Sequence, residues 1–482
     1  MTALWTSGEA EAATGGASTA PWSASGVSID SRTIAPGDLF VALRDRRDGH
    51  AFLASAFAAG AAAALVDTLP SDLPAGAPCL VVEDSLRALE ALGRAARARS
   101  RAMVFAVTGS VGKTGTKEML RTALGALGAV HASDKSYNNH WGVPLSLARM
   151  PREVPFAVFE IGMNAPGEIA PLSRLVRPDV AIVTTVAPVH LAAFDSVDGI
   201  AAEKASVFQG LPSEGLAVIN RDIPWSGVLE GEAVRAGARL TGFGREASDM
   251  RLVSAEIRDQ ATVVAAEDHG RPFVFRLSAP GRHLAMNATA VLAAVAGQGL
   301  DLARAALALG SWSPPEGRGT RQRILLGPSG LDGAIALLDE SYNANPAAMG
   351  AAFEVFAATS VEDGIGRVRR GRRLAFLGDM LELGPGAADM HAALARHPAM
   401  ASIDRVHTAG PLMRALHDAL PPERQGEWHP DTEALAARVR ALVDAGDAVM
   451  VKGSLGSKLS RVVDALRALG EAVPVTIEGG QS

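Results

Sequence analysis

One short stretch limits what this chain can fold into more than any other: "AMVFAVTGSVGKTGTKEML", residues 102–120. The apolar run 102–107 ends in a glycine loop, the loop closes on Gly-Lys-Thr, and residues 116–127 then place apolar side chains at helical spacing. A strand that turns through glycines into a helix is the unit of a helix-covered parallel sheet, and the same turn can cradle phosphate. The N–H groups of residues 110–114 are expected to point at phosphate oxygens, where the helix dipole favours negative charge. Lys113 can reach β- and γ-phosphates, and the Thr114 hydroxyl suits Mg²⁺. The general G-x-x-x-x-G-K pattern is shortened, with only Ser110 and Val111 between Gly109 and Gly112. A plain turn with an exposed lysine is the competing reading.

The rest of the chain repeats this alternation. The runs 155–161, 179–186 and 216–220 are short, continuous and rich in β-branched or aromatic residues. Strands covered on both faces read that way, so residues 101–314 are expected to form a doubly wound α/β layer. Residues 279–299 read as a turn and an Ala-rich helix. Residues 325–482 repeat the pattern, with strands expected at 334–340, 373–379, 405–410 and 448–453. Between these regions, "WSPPEGRGTRQRI" (312–324) has the Pro, Gly and Arg content of a linker. The loop 360–373 reads as a solvated excursion. Residues 1–85 are strand-like pieces around turns, with 51–66 read as a buried Ala-rich helix feeding a strand. A helix then follows the capping pair Asp84–Ser85. The expected domains are 1–85, a linker helix 86–100, 101–314 and 315–482. A length of 482 residues agrees, at roughly 100–200 residues per domain.

Composition removes several function classes. Net charge is -6 with no long basic block, which argues against a nucleic-acid partner. The single cysteine, Cys79, excludes an internal disulfide and multi-cysteine metal clusters, and it fits a reducing compartment. No signal peptide or membrane span is visible, so the protein is expected in the cytoplasm.

Polar residues gather at strand ends. Glu160 closes the strand after the loop, on the edge where a parallel sheet binds ligands; it is read as a Mg²⁺ ligand or as an ion-paired strand-end carboxylate. His190 also follows a strand, and Lys204 lies on a helix; each has a bland structural reading. Asn138 and Asn139 sit in a turn where amides commonly satisfy their own backbone. "DESYNANP" (339–346) is unusually polar for a connection.

Taken together, "DSRTIAPGDLFVAL", "TGSVGKTGTKEML", "YNNHWGVPLSL", "FEIGMNAPGEI", "HLAAFDSVDGIAAEKASVF", "PGRHLAMNATA", "LLDESYNANPAAM", "LGDMLELG" and "VKGS" resemble the Mur ligase family. These are the ATP-dependent, amide-forming enzymes of peptidoglycan synthesis, and the likeness runs from about residue 27 to 466 in family order. It implies three domains: one for the UDP end of a substrate, a central doubly wound P-loop ATPase sheet, and a C-terminal Rossmann-like domain for the incoming amine. It further implies that Gly109 to Thr114 hold ATP phosphates and that Thr114, Glu160 and His190 serve Mg²⁺. Lys204 corresponds to a lysine that is carbamylated in related ligases and would help hold a second Mg²⁺. Asn287 is implied as an adenine contact. Arg318, Asp339, Tyr342 and Asn343 are implied to meet ATP from the C-terminal side. Asn138 and Asn139, with Ser31 and Arg32, are implied substrate contacts, the last two for the uridine nucleotide. Within the family the motifs favour the branch that joins D-alanyl-D-alanine to UDP-N-acetylmuramoyl-tripeptide, acting as a monomer. The "DNPR" motif of the diaminoacid-adding branch is absent. Another branch of the family, or a nucleotide-driven switch without bond-forming chemistry, is the alternative.

Overall fold

Three successive regions of the chain each build a sheet of their own. The computed structural model describes residues 3–475, apart from 46, 71–72, 74–75, 135, 190, 259 and 368. The first region carries a five-stranded sheet in the order Ala17–Ser18, Cys79–Val81, Ala63–Val66, Asp38–Val41 and Gly26–Ser28. The last four of these are parallel. Within residues 51–66 a helix does feed a strand, but the helix is shorter and less buried than expected. The helix is only Leu53–Ala58 and buries just Leu53 and Ala56; the strand Ala63–Val66 is the buried part. Alanine side chains offer little apolar area to hold a helix down, and the chain turns away at Gly60, whose φ is +96°.

The helix Ser85–Arg99 joins the first region to the second. Asp84 caps it, accepting from the Leu86 and Arg87 N–H groups at 2.8 and 2.9 Å. Its apolar face (Ala88, Leu89, Leu92, Ala96) shares one core with strands of the first sheet and with Leu145 and Ala148 of the helix Gly142–Ala148. It therefore packs on both neighbours rather than bridging them through solvent.

The central sheet has nine strands. Seven run parallel in the order Val130–Ala132, Phe156–Glu160, Met103–Thr108, Val180–Val183, Leu216–Asn220, Arg239–Gly244 and Met250–Arg258. Apolar clusters cover both faces. One packs the helices Lys113–Gly125 and Arg282–Gly297; the other packs Ile169–Val176 and Val197–Ala205. The doubly wound layer is therefore present. It extends through Met250–Arg258, Ala261–Asp268 and Arg271–Leu277, joined as antiparallel hairpins that the sequence reading did not foresee.

The third sheet has seven strands. Gln425–His429, Arg405–Ala409, Arg373–Gly378, Ala448–Lys452 and Ala334–Glu340 are parallel. Thr320–Leu325 and Glu471–Pro474 add antiparallel edges. This corrects the reading of 312–324 as linker. Its second half is a strand in register with Ala334–Glu340, and Ile324 is fully buried between its neighbours. Only one apolar residue is needed there, because the paired strand supplies the rest. Among the described residues, no helix is long and apolar enough to cross a membrane.

Candidate active site

The C-terminal ends of the parallel strands in the second and third sheets face one another across a cleft of about 720 Å³. That edge of an α/β sheet is where ligands bind.

On the central side, the strand Met103–Thr108 delivers the loop and the helix Lys113–Gly125 takes it away. Two glycines are obligatory. A Cβ on Gly109 (φ +147°) would stand 1.9 Å from Thr184 Oγ1, and one on Gly112 (φ +85°) 2.8 Å from the Asn287 amide. Thr184 donates its hydroxyl to the Val111 carbonyl at 2.6 Å, and Asn220 donates to the Thr184 carbonyl at 2.9 Å. The expectation for Ser110 needs correction. Its N–H is given to the Thr185 carbonyl at 2.9 Å, and its hydroxyl bridges Ala187. Ser110 therefore staples the loop to the next strand. The cradle begins one residue later: among the described residues, the N–H groups of 111–115 meet no acceptor. They sit at the helix N-terminus, as an anion site requires.

Glu160 is 1% exposed and both its oxygens are held. Oε2 accepts from Thr114 Oγ1 at 2.8 Å and Oε1 from Asn138 Nδ2 at 2.7 Å. A carboxylate beside a threonine hydroxyl, with the free N–H groups next to it, is a small, hard-oxygen donor set. It fits Mg²⁺ completed by phosphate and water oxygens. Asn139 acts differently from Asn138. Its side chain accepts from the Gly142 N–H at 2.9 Å and its carbonyl from Val143 at 3.0 Å, which starts the helix Gly142–Ala148.

Three basic side chains converge on this edge. Lys113 donates to the Gly109 carbonyl at 2.8 Å. Burial lowers its pKa and Arg318 lowers it further, while Glu160 opposes both. Lys204, 1% exposed on the helix Val197–Ala205, is pushed well below the usual lysine range by burial and then by Lys113. A buried amine so disfavoured as a cation is held toward its neutral, nucleophilic form.

The opposite wall comes from the third sheet. Gly319 N–H donates to the Asp339 carbonyl at 2.9 Å and Tyr342 N–H to the Gly317 carbonyl at 3.1 Å, so the segment carrying Arg318 is clamped to the 339–342 turn. The Arg318 guanidinium lies 4.2 Å from the Tyr342 ring centre and donates to Ser136 Oγ at 3.0 Å, joining the two walls. Lys452, 2% exposed, donates to the Asn343 carbonyl at 2.9 Å and pairs with Glu340 at 3.1 Å, setting the shape of the turn. Asp339 lies behind it. Burial raises its pKa, while the Ser341 N–H and hydroxyl, at 3.0 and 2.7 Å, act against this.

The cleft thus gathers Ser110 to Thr114, Glu160, both asparagines, Asn287, Arg318, Tyr342 and Asn343. Lys204 and Asp339 are buried and do not line it. His190 lies outside the described residues. Ser31 and Arg32 do not line the cleft; Arg32 is exposed and pairs with Asp30 at 2.6 Å. Sequence reasoning missed Thr184, Asn220, Ser136 and Lys452. The available signal was position, since Thr184, Asn220 and Lys452 each stand at or just beyond the C-terminal end of a parallel strand.

A shortened phosphate loop, a Thr–Glu pair and a second α/β domain closing over them define a nucleotide-dependent ligase class. The family model for the Mur ligase middle domain matches residues 107–295, and that for the Mur ligase glutamate ligase domain matches residues 330–455. The chain belongs to the Mur ligase family. Within it, the chain is 35% identical to the UDP-N-acetylmuramoyl-tripeptide–D-alanyl-D-alanine ligase of Escherichia coli (strain K12), over 92% of this chain and 93% of that protein. The enzyme of the same name from Bacillus subtilis (strain 168) is 33% identical, over 91% and 92%. Among solved structures, MurF from Acinetobacter baumannii superposes with a TM-score of 0.80 at 26% identity, over 96% of this chain and 99% of that one. MurF ligase from Thermotoga maritima in complex with ADP gives 0.74 at 25% identity, over 92% and 97%.

Proposed function

We propose that this chain joins D-alanyl-D-alanine to the terminal carboxylate of UDP-N-acetylmuramoyl-tripeptide, with ATP converted to ADP and phosphate. The observation that carries this reading is the convergence of Lys113 and Arg318 on a cleft lined by the free N–H groups of residues 111–115, facing a second domain. Mutually repelling cations next to unpaired donors call for a multiply charged anion, and a triphosphate supplies it. We also place the protein in the cytoplasm, where ATP is available, and read it as a monomer, because the chain supplies both walls of the cleft by itself.

The chemistry is activation followed by aminolysis. A carboxylate cannot acylate an amine, since oxide would have to leave. Its oxygen attacks the γ-phosphorus in line, ADP leaves, and the resulting acyl phosphate carries a good leaving group. The amine of D-alanyl-D-alanine then adds to the carbonyl carbon, and phosphate departs as the tetrahedral intermediate collapses. No protein nucleophile is required; positioning and charge stabilisation suffice. Lys113 and the N–H groups of 111–115 hold phosphoryl oxygens, and Arg318 does so from the facing wall. Mg²⁺ bound at Thr114 and Glu160 would neutralise phosphate charge. Lys204, as its carbamate, would supply a carboxylate for a second ion. Asn287, against Gly112, is read as the adenine contact, and Asn343, Tyr342 and Asp339 as meeting the nucleotide from the other side. Ser31 and Arg32 are read as uridine-nucleotide contacts and His190 as a metal ligand. Joining of the two walls through Arg318 keeps water from the acyl phosphate.

Purified protein given UDP-N-acetylmuramoyl-tripeptide, D-alanyl-D-alanine and Mg-ATP is expected to form the pentapeptide, with one phosphate released per bond. ATP hydrolysis that is indifferent to both peptides would contradict the proposal.

A further inference from the structure

Resting on that reading, we propose that Lys117 is a positioning residue for the metal–nucleotide site, fixing from inside the core the loop that aims Asn138 at Glu160. Lys117 lies on the helix Lys113–Gly125 and is fully buried. Its Nζ donates to the Ser133 carbonyl at 2.6 Å and pairs with Glu118 at 2.7 Å. Ser133 is the point where the chain leaves the sheet: its own N–H donates to the Val158 carbonyl at 3.1 Å. Five residues later Asn138 donates to Glu160 Oε1 at 2.7 Å, and its carbonyl accepts from the Gly162 N–H at 2.8 Å.

These contacts close a ring. From one helix, Thr114 holds Glu160 Oε2 directly, while Lys117 holds Oε1 through Ser133 and the loop to Asn138. The carboxylate is thereby fixed at both oxygens relative to the phosphate loop, as a metal-binding carboxylate needs to be. An apolar side chain of the same length would fill this space without the cost of burying an amine. It could not hold the Ser133 carbonyl. The loop also carries Ser136, the acceptor for Arg318, so the same lysine bears on how the two walls meet.

The test compares the full chain with Lys117→Met, Lys117→Arg, Asn138→Ala and the double variant Lys117→Met/Asn138→Ala. ADP affinity is measured by calorimetry with and without Mg²⁺, and amide hydrogen exchange of residues 133–141 is followed without ligand. In Lys117→Met, exchange over 133–141 should quicken and the Mg²⁺ needed for half-maximal ADP binding should rise about tenfold. ADP affinity without Mg²⁺ should stay as in the wild type. Lys117→Arg should recover most of the loss. The double variant should need no more Mg²⁺ than Asn138→Ala alone, because both changes break the same ring. Wild-type exchange and Mg²⁺ requirement in Lys117→Met, or additive losses in the double variant, would overturn the assignment. Should Lys117→Met not fold, Lys117→Gln, which keeps a shorter donor, is held to the same criteria. A wild type that binds Mg-ADP but makes no pentapeptide would refute the ligase reading and leave these binding criteria in force.

Discussion

Gly109→Ala is the most searching single change in the phosphate loop, because its cost can be worked from the geometry. The new methyl would stand 1.9 Å from Thr184 Oγ1, 3.1 Å from Thr184 Cβ and 3.2 Å from its backbone N. Ordinary contact begins at 3.4 Å, so about 1.5 Å must be found. Thr184 cannot yield freely, because its hydroxyl holds the Val111 carbonyl and its own carbonyl holds Asn220. Crowding of this kind costs about 1–3 kcal/mol, and a φ near +147° in an L-residue adds a similar amount. Together that is on the order of 2–6 kcal/mol. If the loop moves aside in the free protein, nucleotide binding must restore it, and even ~2 kcal/mol is roughly thirtyfold in affinity. Titration calorimetry with Mg-ADP and thermal melts, run together, read both destinations of the strain. Adding Thr184→Ala removes the nearest atom, so the pair Gly109→Ala/Thr184→Ala should bind more tightly than the two single losses combined would allow. Gly109→Ala binding within a factor of about two of wild type, with an unchanged melt, would show that contact with Thr184 does not hold the loop.

Two further outcomes follow from buried titratable groups. Lys204→Ala should lose most activity and regain part of it with formate or acetate; an unimpaired variant would remove the carbamate. His407 is buried against Phe376, with ring centres 4.9 Å apart, and burial lowers its pKa from 6.5 to about 4. Between those values the unfolded chain takes a proton that the folded one refuses, so stability is present above pH 6.5 and falls as pH drops toward 4, by up to about 3 kcal/mol. Melting temperatures from pH 7 to 4 should fall less steeply in His407→Gln, and parallel curves would exclude this histidine as the cause.

What the sequence disclosed was set by how local the signal is. The strand, loop and helix around Gly109 are contiguous, and so are the apolar runs that became Phe156–Glu160, Leu216–Asn220 and Ala334–Glu340. The antiparallel strands from Met250 to Leu277 were passed over although they alternate and turn at His269 and Gly270, both with positive φ. Alternation breaks up the continuous apolar run that marks the buried parallel strands. Thr320–Leu325 read as linker because its partners lie elsewhere in the chain and supply most of the burial. The same holds in the site. Lys113 and Thr114 announce themselves by motif. Thr184, Lys452 and Lys117 look like an ordinary strand-end threonine and ordinary lysines until distant segments bring them their acceptors. That Ser110 is a staple rather than a phosphate donor depends on Thr185 and Ala187, more than seventy residues away.

The central step is the passage of a phosphoryl group to the tripeptide's carboxylate before the amine arrives. Tripeptide substrate labelled with ¹⁸O in its terminal carboxylate, turned over with D-alanyl-D-alanine and unlabelled Mg-ATP, tests this directly by mass spectrometry of the phosphate released. The prediction is one ¹⁸O in each phosphate and none in ADP. Unlabelled phosphate accompanying peptide-bond formation would contradict it.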